Sequence, residues 1–113
     1  MPSFKLNDLI NQAATKVGAL GVGQTLSAED HAKFLELSSC LFDQLEQDQI
    51  LSLADLDDIP AALAPYLATL LANLAAPDFG APFDMSVKEQ NEAVIRRLVR
   101  GTVTYEQQTP DYF

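Results

Sequence analysis

The sequence predicts an all-α protein, a small four-helix bundle with an extended C-terminal tail. Three observations predict it. Apolar residues recur at helical spacing in four separate stretches, short Gly- and Pro-bearing loops divide those stretches, and β-branched runs long enough for a strand are scarce. A chain of 113 residues has room for one hydrophobic core and not for two. Residues 1–101 read as the helical domain and residues 102–113 as the tail.

The first helix carries Leu6, Leu9, Ile10, Ala13, Ala14 and Val17 on one stripe. Ser3 or Asn7 is placed to cap its start, and Gly18 to close its end. Gly21 and Gly23 then mark a loop. The second helix opens at Ser27, with Glu29 and Asp30 at the end where the helix dipole favours acids. Phe34, Leu35, Leu37, Ser38, Leu41, Phe42 and Leu45 continue it to about Gln47, a broad face that suits a central helix. Ile50 to Leu53 reads equally as a short extended segment or as more helix.

Asp57-Asp58-Ile59-Pro60 is a helix-start signature. A second proline, Pro65, means that the third helix either kinks there or begins at Ala64. From Tyr66 to Ala76 that helix is apolar almost all round, so it must pack on several sides, within its own domain or against a neighbouring copy. Pro77 to Pro82 stops it. Ser86, with Glu89 at the capping-box position, starts a fourth helix that Gly101 ends, its stripe made by Val87, Val94, Ile95 and Leu98. Beyond it, Thr102 to Tyr105 is extended in propensity and Pro110 opposes helix. Tyr112 and Phe113 either anchor on another surface or fold back on their own domain.

Chemistry finds little support. The lone His31 and lone Cys40 leave no zinc set and no internal disulfide. Ser38, Ser39 and Cys40 lie about two helical turns from His31, with no third group to orient a base. Gly18, Gly21 and Gly23 lack the preceding strand and the following Lys-Ser/Thr of a phosphate cradle. The expectation is a protein without catalytic residues, metal or cofactor. No stretch approaches 18 uncharged apolar residues, which argues against a transmembrane helix, and Met1 to Asp8 lacks the basic and apolar regions of a secretion signal, so synthesis and folding in the cytoplasm are expected.

Charge is the stronger signal. The net charge is −9, from 16 acidic and seven basic side chains, which disfavours phosphate binding. Between residues 43 and 58 all six charged side chains are acidic: Asp43, Glu46, Asp48, Asp55, Asp57 and Asp58. Three basic ones, Arg96, Arg97 and Arg100, cluster near the end of the fourth helix. Either these are two solvated helix faces, or an acidic end and a basic end serve head-to-tail contact between copies or a charged partner.

The order of these features resembles a known family. Asp8-Leu9-Ile10, Ala13 and Lys16-Val17-Gly18 open it, Leu41 to Ile50 supply an acidic and aromatic end to the second helix, and Leu71 to Gly80 run Leu-Ala into Ala-Pro-Asp-Phe. Together, over about residues 4 to 100, they resemble the tail accessory factors of short-tailed phages, the head–tail adaptors that close the portal after DNA packaging. This chain has no tryptophan, which such proteins commonly carry at the end of the second helix. The resemblance implies a virion protein at the head–tail junction, with a ring of twelve copies bound to the portal protein. Tail or nozzle proteins would dock below it, and DNA would pass through without sequence-specific binding. On this reading Arg96, Arg97, Arg100, Tyr105, Tyr112 and Phe113 contact the portal or a neighbour. Asp43, Glu46, Asp48, Asp55, Asp57 and Asp58 face a neighbour or the lumen. A small acidic helical interaction module, an assembly chaperone or inhibitor with one transient partner, is the alternative.

Overall fold

The computed structural model describes residues 3–19, 24–53 and 55–108, with Ser3 and residues 101–108 described by backbone alone. It is all-α, with helices α1 (Leu6–Lys16), α2 (Ala28–Gln47), α3 (Ala64–Ala75) and α4 (Met85–Gln108), a 3-10 turn at Ala76–Phe79, and a two-residue antiparallel bridge. Gly21, Gly23, Tyr112 and Phe113 lie outside the described residues.

α1 buries Leu9, Ile10, Ala13 and Ala14, the middle of the predicted stripe. Its N-cap residue is Lys5, and the Asp8 carboxylate accepts the Lys5 backbone N–H at 3.1 Å. Asn7 instead meets the His31 ring across the interface with α2, Oδ1 to Nε2 at 2.6 Å. At the other end Gly18 sits at φ +81°, the Ala19 N–H reaches the Ala14 carbonyl at 2.9 Å, and the Gly18 N–H reaches that of Thr15 at 3.2 Å. This is the left-handed closure the glycine predicts.

α2 begins as read, with Ser27 Oγ accepting the Asp30 N–H at 3.2 Å, and it ends at Gln47. Its close repeats that of α1 without a glycine. Gln49 takes φ +58°, the Gln49 N–H donates to Glu46 O at 3.1 Å, and the Ile50 N–H donates to Leu45 O at 2.9 Å. Leu45 and Ile50 are both buried, the apolar contact that accompanies this motif. The chain after Ile50 is neither strand nor helix, and it keeps Leu51 in the core.

The helix start expected at Asp57 to Pro60 is not one. Asp55 Oδ1 accepts the Asp57 N–H at 2.9 Å in a local turn, and Ile59–Pro60 then pair with Ser3–Phe4. A residue before proline is pushed towards extended backbone, which suits Ile59 for a bridge and not for a first helical turn. α3 therefore begins at Ala64 with Pro65 in its first turn, the later of the two predicted starts.

α3 is the centre of the molecule and packs on α1, α2 and α4. Leu67, Leu70, Leu71, Ala64, Ala68, Ala72 and Ala75 are all buried, so the domain itself covers the all-round apolar surface. The turn after it is anchored on α2: Phe79 stacks on Phe34 with ring centroids 5.4 Å apart, and Asp78 lies 3.7 Å from Lys33 Nζ. Gly80, at φ +87°, closes this turn, with the Ala81 N–H on Ala76 O at 3.0 Å.

α4 is capped by Asp84, not Ser86. The Asp84 carboxylate accepts the Ser86 N–H at 2.9 Å and the Val87 N–H at 3.4 Å. Asn73 on α3 fixes that cap, giving its amide N–H to Asp84 O at 2.8 Å and taking the Asp84 N–H at 2.9 Å. α4 then runs through Gly101, the expected stop, to Gln108. One interior glycine costs a helix about 1 kcal/mol relative to alanine, too little to stop it where the hydrogen-bond ladder continues. Between residues 85 and 100 of α4, the part whose side chains are described, Ile95 alone is fully buried; Val87, Val94 and Val99 are half-buried and Leu98 is 36% exposed.

Candidate functional site

The side chains weighed for catalysis are not brought together. Ser38 is buried and its hydroxyl donates to Leu35 O at 2.7 Å, while Ser39 and Cys40 point to solvent and His31 is held on Asn7. Among the described residues no three of His, Cys, Asp and Glu converge as a metal set. No described helix is long and apolar enough to cross a membrane.

Asp43 and Glu46 lie on the last turns of α2 and Asp48 is its C-terminal cap residue; all three are exposed. Acids there oppose the helix dipole, and no basic residue occupies that last turn to offset them. Asp55, Asp57 and Asp58 are exposed in the turn that leads to the bridge. Arg96, Arg97 and Arg100 are exposed on α4, and among the described residues none of them forms an ion pair. Tyr105 falls within α4.

A shallow hollow of about 350 Å³ lies between the end of α2, the segment after it and α4. Ile50, Leu51 and Val99 are its apolar part, and Glu46, Gln49 and Ser52 its polar part, with Ser52 Oγ at 3.5 Å from Glu46 Oε2. Val99 is the α4 residue in this lining. Glu46 near the end of α2 and Val99 of α4 thus line the same hollow.

A second cleft, of about 150 Å³, was not found by sequence reasoning. Leu41 and Gln44 of α2, Leu70, Asn73 and Leu74 of α3, and Lys88 and Glu92 of α4 line it, with Phe83 at its mouth. Phe83 is 40% exposed and the neighbouring Met85 55%. Lys88 and Glu92 pair at 2.8 Å with side chains only 24% and 12% exposed. Their i,i+4 spacing was the available signal, but periodicity alone does not show that α2 stands opposite. No protein family matches this chain, and no curated protein or solved structure is significantly similar to it.

Proposed function

We propose that this chain is a structural virion protein, a head–tail adaptor. Copies assemble as a ring of twelve on the portal protein in the host cytoplasm. The ring helps to retain packaged DNA and gives tail or nozzle proteins their docking platform at the head–tail junction. The observation that carries this reading is the order of features between residues 4 and 100 that resembles the tail accessory factors of short-tailed phages. Two properties of the surface support it. A ring subunit needs complementary patches for its neighbours, and here Arg96, Arg97, Arg100 and the carboxylates between residues 43 and 58 are exposed and, among the described residues, form no ion pair. A chain of net charge −9 also repels phosphates, so DNA can pass along such a ring without adhering.

Light scattering of the chain mixed with the portal protein of the same genome tests the reading. The expected result is a stoichiometric complex with a ring-sized increase in mass. A chain that ignores the portal sinks the adaptor reading and leaves the acidic interaction module, a chaperone or inhibitor of assembly. Deleting Thr109 to Phe113, which spares α4, is expected to abolish portal binding; unchanged binding would remove Tyr112 and Phe113 from the contact.

A further inference from the structure

We draw no further inference here: the strongest candidate, the cleft of about 150 Å³ between α2, α3 and α4 with Phe83 exposed at its mouth, has Leu41 and Leu70 already buried within the monomer, and nothing in the structure shows what covers it.

Discussion

α3 and α4 are neighbours in the chain and opposites in their dependence on the rest of the protein. α3 has 12 residues and is buried on nearly every side, among α1, α2 and α4. α4 has 24 residues, buries one side chain completely among its described residues 85–100 and rests mainly on α3. At 1.5 Å per residue they are about 18 Å and about 36 Å long, so α4 outruns its support by half its length. The molecule, 55 × 29 × 23 Å, is correspondingly elongated. Composition alone ranks them the other way for intermolecular roles, because an all-apolar helix looks like an interface. The structure assigns the apolar helix to the core and leaves the polar one, with its arginines, facing solvent.

The comparison breaks most readily in the core. Leu71→Ala removes a fully buried side chain from the centre of α3 and is expected to cost about 3 to 4 kcal/mol in urea unfolding. Leu98→Ala, on the part-exposed side of α4, is expected to cost less than about 1 kcal/mol, since much of its surface already meets water. Equal losses at the two positions would mean that α4 is covered far better than its exposure indicates.

A smaller effect separates the two candidate caps of α4. Asp84→Ala is expected to lower stability by about 1 kcal/mol and Ser86→Ala by less than about half of that. The reverse order would restore Ser86 as the cap. The smallest effect has the opposite sign. Gln49→Gly relieves a left-handed residue and is expected to raise stability by about 0.5 to 1 kcal/mol, read as a higher urea midpoint at unchanged slope. A loss there would mean that the Gln49 side chain, at the edge of the hollow, contributes more than its backbone strain removes.

Features set by a few neighbouring residues were legible in the sequence. Ser27 with Asp30, the stripe of α1 and the glycine at residue 18 each act within one or two turns, and periodicity with capping chemistry finds them. What escaped depends on competition or on distance. Asp84 and Ser86 are both capping types two residues apart, and only the grip of Asn73 decides between them. The bridge between Phe4 and Ile59 joins segments that no local pattern relates. α4 passes Gly101 because one interior glycine is a small helical penalty and not a stop. The charged residues of the candidate surface were countable from the sequence, but their arrangement was not. Glu46 and Val99 share a hollow only because α2 and α4 both lie against α3.

The clasp between Asn73 and Asp84 also makes α4 a lever. Its two hydrogen bonds fix the near end of the helix to the core, and the far end is about 36 Å away. Turning α4 by about 10° around that fulcrum would carry Gln108 through about 6 Å while its cap moves hardly at all. A change of side-chain packing under Ile95, too small to disturb the body of the protein, is thereby magnified into a displacement the width of a helix turn where the chain leaves the domain.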